Sequence, residues 1–465
     1  MLEHFSDTII SFLDKNSEKT VDINVVGDVI FDEYYDVEVD RISPEFPIPV
    51  YKSSSFDPTS GIIPGGAANV AYQFKHFNVN SELISLLNKI GEVNFDSKGI
   101  STKHSKIVHS ITIPTKRRIY SHGIPLVRHD IEKENYGLED LKRHLFDLTV
   151  PEGDFTIFSD YSKGLFCVPW FRKYITKTKN IVDPKNNFID LWEGCTYFKP
   201  NALEAERLSE RKNISDQIEF FMDALKCEGV LITRSGSGVT GKECDGKLFE
   251  VVPNVELPPP ESVIGAGDCF VSFIAMALAR GFSLEKAAQI GFVAGTAYVH
   301  KRHNAPLSPA ELASYVGIKE IKSVDILKNR NFNLVFTNGC FDLGLTQAHV
   351  ECLKFAKSRG DKLVVAVNDD ASVARLKGAD RPICSLKERL DILKSLDCVD
   401  FVVSFSEDTP YEILKKINPD LIVKGGDYKK NEVVGNDLFD VEIFNLVNCM
   451  STSDKIKKLQ NVKQN

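Results

Sequence analysis

The sequence predicts an α/β protein of two successive domains, a larger doubly wound one with a small β lid followed by a smaller one. Three observations predict it. Short apolar runs of strand type alternate with helix-length segments, the order that builds a parallel sheet flanked by helices. Glycine-rich turns stand where a strand gives way to a helix, at Gly65-Gly66 and at Gly265-Ala266-Gly267. The alternation halts in a polar stretch, residues 317–331, and then restarts from a new strand. A chain of 465 residues is long for one domain. The boundaries read as 1–316, a linker over 317–331, and 332–465.

Each element follows from its local pattern. Residues 1–19 carry early acidic groups and an amphipathic pattern, which predicts a helix and not a secretory leader. Residues 22–29 (DINVVGDV) read as a buried strand ending in Gly-Asp. Residues 31–63 alternate Val, Ile and Tyr with polar residues, as the short strands of a lid or edge sheet do. Pro64-Gly65-Gly66 breaks that pattern, and 67–77 reads as a helix. Strands follow at 155–159 and 180–183, then a helix at 215–227 with Ser215 as N-cap and a strand at 230–233. A long apolar helix opens at Gly265, another spans 284–299, and 307–312 (LSPAEL) reads as the last capped helix of the domain. The second domain reads as strand 334–337, helix 347–358, strand 363–368, helix 386–396, strand 401–404, helix 410–417 and strand 421–424.

Composition narrows the function classes. Hydrophobic content of 43% and charged content of 26% are ordinary for a soluble globular protein. A formal charge of −8 argues against a general nucleic-acid binder, and Lys455-Ile456-Lys457-Lys458 reads as a solvated helix face. No apolar stretch approaches the ~20 residues that cross a bilayer, so no membrane partner is expected. Ten cysteines without a CxxC pair predict free thiols in a reducing cytoplasm and no zinc site.

The first candidate site is Gly265-Ala266-Gly267-Asp268. A helix N-terminus offers unpaired N–H groups and a positive dipole end to phosphate, and small residues let the backbone approach it. Asp268 at the same helix start can accept a proton from a hydroxyl attacking the γ-phosphate of ATP. Other features accompany it. Gly65-Gly66-Ala67-Ala68-Asn69 is a second glycine-rich turn, and Asn69 offers donors and an acceptor to a polyol. Asn201 and Glu204 form N-x-x-E, and Thr233-Arg234-Ser235-Gly236-Ser237-Gly238 follows a strand as a nucleotide-phosphate loop would.

Together these residues resemble the ribokinase-like (PfkB) sugar kinases over roughly residues 20–315. Asp32-Glu33-Tyr34-Tyr35, the run 41–50 (RISPEFPIPV), the run 158–164 (FSDYSKG) and Asp183-Pro184-Lys185 are similar to the D-glycero-D-manno-heptose 7-phosphate kinase branch. The resemblance implies Asp268 as catalytic base and Gly265, Ala266 and Gly267 as anion hole. It implies Asn201 and Glu204 for Mg²⁺ and phosphates, with Glu204 the metal ligand, and Thr233, Ser235, Gly236 and Gly238 for ATP. It implies Asp28, Gly65, Gly66 and Asn69 for sugar hydroxyls, and Lys185 either for the sugar phosphate or as a surface lysine. There are departures. Ser262 and Ile264 replace the family's Asp and Thr before the GAGD run, which places a monovalent-cation site in doubt, and residues 86–115 are shorter than usual.

The second candidate site is built on Thr337-Asn338-Gly339-Cys340-Phe341-Asp342, His349 and Lys424-Gly425-Gly426-Asp427-Tyr428. With Val367 to Asp370, Arg375 to Gly378, Arg381-Pro382, Glu388-Arg389, Asp408 to Pro410 and Ser451-Thr452-Ser453, they resemble the cytidylyltransferase-like nucleotidyltransferases, a Rossmann-like fold. The match is to the heptose 1-phosphate adenylyltransferase half of a bifunctional heptose enzyme. That implies catalytic roles for His349 and Lys424 and nucleotide contacts for Thr337, Asn338, Gly339, Phe341, Asp342, Thr346 and Arg389. The family's H-x-G-H is broken: Thr346 or Leu345 stands for the first His, Ala348 for the Gly, and His349 is the second His. Threonine donates a hydrogen bond but carries no charge, and losing a preorganised donor typically lowers the rate ~10²–10³-fold.

Two readings follow: a bifunctional enzyme that makes a nucleotide sugar, or a kinase whose second half only binds nucleotide or assembles. Both take a sugar phosphate and ATP, use Mg²⁺, and imply a cytoplasmic homo-oligomer, a dimer. ATP versus CTP in the second half stays open.

Overall fold

The computed structural model describes residues 2–51, 61–132, 138–186, 188–301, 305–342, 344–426 and 428–445. Asp427, Ser451-Thr452-Ser453 and the Lys455 to Lys458 run lie outside the described residues. The chain forms two compact units, Met1–Leu307 and Ser308–Asn465.

The first unit is built on an eight-stranded sheet. Its order is Phe249–Val251, Val239–Glu243, Gly229–Thr233, Tyr197–Phe198, Asn180–Asp183, Phe155–Ser159, Val21–Gly27 and Val79–Ile84. The last six of these run parallel, and the first two add an antiparallel edge that the sequence pattern did not reveal. The central strands are apolar on both faces because helices cover both. An aromatic cluster that includes Phe158, Phe166, Phe171, Trp192 and Phe198 fills one side. Helix Ile214–Leu225 is capped by Asn213, not Ser215; the Asn213 side chain accepts the Ser215 N–H at 2.8 Å.

At Asp28 the chain leaves the sheet and enters a four-stranded lid, ordered Ile124–Ile131, Thr115–Ser121, Val29–Asp36 and Ile62–Gly66. The RISPEFPIPV run forms a separate hairpin, Val39–Ile42 against Pro49–Tyr51. Gly66 ends the lid strand and caps helix Ala67–Tyr72 at φ +59°; a Cβ there would lie 2.5 Å from the Asp28 carbonyl oxygen.

The second unit carries five parallel strands in the order Phe401–Phe405, Lys362–Asn368, Leu334–Gly339, Leu421–Gly425 and Val441–Phe444. Helices Gln347–Lys357, Asp370–Lys377, Leu386–Lys394 and Tyr411–Ile417 connect them. Helix Asp370–Lys377 and strand Val441–Phe444 are additions to the sequence reading. Residues 308–327, read as the end of the first domain and part of a linker, belong to this unit. Ile318, Ile321, Ile326 and Leu327 are buried among the polar residues, and Glu320 bridges to Val402. Ser308 caps helix Pro309–Tyr315 through a capping box with Glu311.

Candidate active sites

Helix Ala266–Ala279 starts the first site. Its N-cap Gly265 has φ +75°, and a Cβ there would lie 2.7 Å from Asn69 Nδ2 and 2.8 Å from Tyr298 Oη. Glycine is required on both counts. Two cavities meet at this helix start, sharing Thr233, Ser235, Val263 and Gly267. One, of about 400 Å³, has walls of Leu257, Pro258, Phe270, Phe292 and Val299 and a rim of Thr233, Ser235, Gly236 and Gly238. That is an apolar slot with small polar residues on its rim. The other, of about 910 Å³, is a polar groove lined by Asp183, Lys185, Lys199, Asn201 and Glu204 among others. A Cβ on Gly267 would meet nothing within 4 Å, so the backbone there faces open space.

Asp268 is buried, 3% exposed. Its Oδ1 accepts from the Tyr161 hydroxyl and its Oδ2 from Asn69 Nδ2 at 2.8 Å. Burial pushes its pKa up to about 7; the two hydrogen bonds oppose that, and Asp183 and Asp32 add to it. A carboxylate poised near neutrality suits a general base.

Several expected sugar ligands are bonded within the protein instead. Asn69 is fully buried, with its carbonyl oxygen accepting from Gln73 at 2.9 Å and its NH₂ on Asp268, so its amide is bound within the protein. Asp28 accepts the N–H groups of Tyr161 and Lys163, both at 3.0 Å, and of Leu165 at 2.9 Å. Burial, reinforced by Asp160, lifts it to about 6. It borders a cavity of about 40 Å³, room for a few waters and not a sugar. Gly65 gives way to the Asp32 carboxylate, 2.5 Å from where a Cβ would stand. Asp32 in turn pairs with buried Arg118 at 2.5 Å.

Asn201 and Glu204 form a capping box at the start of helix Ala202–Ser209, and Lys185 Nζ lies 2.8 Å from Glu204 Oε1. Among the described residues no cluster of three His, Cys, Asp or Glu forms a ready metal cage. One groove-side carboxylate with an amide oxygen beside it still fits Mg²⁺, which keeps waters and phosphate oxygens as its other ligands. Lys185 is half exposed. Two further residues, given no role from sequence, enter here. Lys199, 3% exposed, pairs with Asp183 at 2.9 Å; burial works against its charge, but Asp183 and Glu204 outweigh that and raise its pKa. Tyr161 is the other. A lysine after an apolar strand was the available signal for Lys199; Tyr161 lay in the singled-out run 158–164, which did not say what its hydroxyl meets.

The second site gathers at the C-terminal end of strand Leu334–Gly339. Thr346 caps helix Gln347–Lys357, and the Thr346 N–H donates to His349 Nδ1 at 3.1 Å. Nδ1 is therefore an acceptor, so the neutral ring carries its proton on Nε2 and presents a donor there. Phe341 packs edge-on to the imidazole, centroids 5.4 Å apart. Thr346 and His349 stand at i and i+3, the spacing of the broken H-x-G-H. Lys424 Nζ donates to Asn338 Oδ1 at 2.9 Å and its carbonyl at 3.1 Å; burial lowers its pKa, opposed by Cys352 and Cys340. Thr337 is buried in the same strand, and Gly339 closes on the Phe341 ring.

Arg389 and Asp342 are scaffold here. Arg389 is 1% exposed and donates to the carbonyls of Cys340 and Asn368, both at 2.7 Å, of Cys384 at 3.1 Å, and to Asp370 at 2.6 Å. A guanidinium so enclosed organises the floor of the site and does not reach a nucleotide. Asp342 accepts the Ile383 N–H at 2.6 Å and pairs with Arg381, holding the 381–384 loop.

Comparisons with known proteins find two families along the chain. Residues 163–310 match the pfkB family of carbohydrate kinases, and residues 336–458 match the cytidylyltransferase-like family. The bifunctional protein HldE of Histophilus somni is 35% identical over 472 residues, covering 95% of this chain and 97% of that protein. That of Nitratiruptor is 33% identical over 473 residues, covering 94% and 99%. A nucleoside kinase of Methanocaldococcus jannaschii, a ribokinase-family member of known structure, matches at 19% identity over 63% of this chain and 97% of its own, with a TM-score of 0.48. At this identity and coverage of the curated relatives, the chain belongs to the bifunctional HldE family, a sugar kinase joined to a nucleotidyltransferase.

Proposed function

We propose that the first unit phosphorylates heptose 7-phosphate at its 1-position with ATP, and that the second moves an adenylyl group from ATP to heptose 1-phosphate, giving ADP-heptose for a surface polysaccharide. The observation that carries the kinase reading is Asp268, buried at a helix N-terminus where an apolar slot meets a polar groove. In this reading the sugar hydroxyl gives its proton to Asp268 and its oxygen attacks the γ-phosphorus; the bond to the β-phosphate oxygen breaks and ADP leaves. The N–H groups after Gly265 and the Lys199 ammonium balance the charge of the transferring group. Asn201 and Glu204 would hold Mg²⁺, whose charge neutralises the polyphosphate when bound. Lys185 is the group available to the sugar phosphate.

In the second unit an oxygen of the sugar 1-phosphate attacks the α-phosphorus of ATP and pyrophosphate departs. His349 Nε2–H and Lys424 serve the developing charge. The neutral Thr346 weakens this centre relative to a two-histidine one without emptying it. The alternative, a second half that only binds nucleotide, rests on that same Thr346. The working form in this reading is a cytoplasmic homodimer; no described helix is long and apolar enough to cross a membrane, and Ile42, Phe46 and Ile48 leave an exposed apolar hairpin for a second copy.

Two assays on the purified full chain test the reading. ADP release is measured with heptose 7-phosphate and ATP, and pyrophosphate release with heptose 1-phosphate and ATP or CTP. Both should proceed, ATP being preferred in the second. No ADP release with any sugar phosphate overturns the kinase assignment. No pyrophosphate release with any sugar 1-phosphate leaves the second half as a binding module.

A further inference from the structure

The loop after strand Phe155–Ser159 is held from several sides. Asp28 takes the N–H groups of Tyr161, Lys163 and Leu165, and Asp160 takes those of Ser162 at 2.8 Å and Asn186 at 2.9 Å. From this loop the Tyr161 hydroxyl reaches Asp268, 107 residues further along the chain. The lid touches the same loop. Lys116 Nζ, on lid strand Thr115–Ser121, stands 5.9 Å from the Tyr161 ring centre, and Lys163 pairs at 2.7 Å with Glu132, next to the end of lid strand Ile124–Ile131. One loop is thus bonded to the base on one side and to the lid on the other.

We propose that Tyr161 is a positioning residue for phosphoryl transfer: its hydroxyl holds Oδ1 of Asp268 and fixes the plane of the carboxylate that receives the sugar proton. The proposal rests on the reading of Asp268 as base. Asn69 holds Oδ2, so with Tyr161 in place the carboxylate cannot rotate. Tyr161 is not itself the base, because burial and the neighbouring Asp268 push its own pKa well above the usual range. Donation to a carboxylate favours the ionised form, and this bond is the largest opposition to the burial of Asp268. The other titratable groups around Asp268 are Asp183, Asp32, Lys199, Cys269 and Tyr298. All remain when Tyr161 becomes Phe, which fills the same space without the hydroxyl.

The test is the pH profile of kcat/KM for ADP release by the full chain with heptose 7-phosphate, comparing native protein with Tyr161→Phe and Asp268→Asn. The acid limb of Tyr161→Phe should move up by about one pH unit, a typical worth for a hydrogen bond to a charged group. The loss is then about tenfold below the limb and fades in alkaline buffer, with KM for ATP unchanged. An acid limb that does not move, or an equal loss at every pH, overturns the proposal while Asp268→Asn stays inactive. An Asp268→Asn enzyme that keeps its turnover overturns the base assignment and the proposal with it.

Discussion

A carboxylate in water, with a pKa near 4, is ionised at neutral pH but is a weak base. Burial makes Asp268 a stronger one, lifting it to about 7. As a base, Asp268 would be protonated and idle below that value and ionised above it. kcat/KM for ADP release should therefore climb as pH rises through about 7, whereas an exposed carboxylate would place the climb near 4. Asp268→Asn should lower turnover by ~10²-fold or more and leave ATP affinity by calorimetry nearly intact. Gly265 is the complementary case, a residue that acts by having no side chain. In Gly265→Ala the new methyl meets Asn69 Nδ2 and Tyr298 Oη, and the left-handed backbone costs ~1 kcal/mol or more. Displacing Asn69 loosens the base while the helix start shifts under the phosphate. A turnover reduction of ~10²-fold, in the range for a lost oxyanion donor, is expected in the ADP-release assay. An alanine variant with native turnover would show that neither the anion hole nor Asn69 matters to the rate.

At the scale of elements, the loops at the C-terminal ends of the strands do the work, and buried polar side chains shape them from behind. Arg389 joins Leu386–Lys394 to the ends of Leu334–Gly339 and Lys362–Asn368 through the carbonyls of Cys340 and Asn368. Arg389→Met strands three carbonyls and frees Asp370, the kind of change that costs ~3–5 kcal/mol. The expected result is a lower thermal midpoint for the second unit, with pyrophosphate release falling alongside it. Lysine at this position should rescue little, because it lacks the fork that reaches several carbonyls at once. The same residue shows how far the sequence could be read. Gly265 to Asp268 was legible because a helix entry at a phosphate demands glycine, and the strands at 155–159 and 180–183 were legible from their apolar runs. Residue type alone did not say which way Asn69, Asp28, Asp342 or Arg389 point. Each is polar in a site-forming run, yet each bonds backward, to a base or a loop. The Tyr161 bond to Asp268 spans too much chain for any local pattern, and Glu442 interrupts the apolar run of Val441–Phe444. The grouping of residues 308–327 with the second unit was hidden for a related reason. Ile318, Ile321, Ile326 and Leu327 are sparse among charges, and their burial appears only once the second sheet exists to receive them.

At the scale of the whole molecule, one chain carries two phosphate chemistries on two separately cored sheets. Each has its own core and its own candidate site residues, so the activities should be separable by single substitutions. Asp268→Asn should stop ADP release from heptose 7-phosphate and leave pyrophosphate release from heptose 1-phosphate within about twofold, the scatter expected of independent sites. His349→Ala should do the reverse, losing ~10²-fold in pyrophosphate release through the missing donor. The broken H-x-G-H sets the remaining expectation. Thr346 and His349 already stand one helical turn apart, and the Thr346 N–H already fixes the imidazole. The double change Thr346→His with Ala348→Gly therefore adds a second imidazole to a centre whose other parts are in place. Pyrophosphate release should rise about tenfold or more over the native chain, with ADP release unchanged as the internal control. If the native rate is already high and the added histidine does nothing, the neutral hydroxyl of Thr346 is sufficient at this centre, and His349 and Lys424 carry the transition-state charge between them.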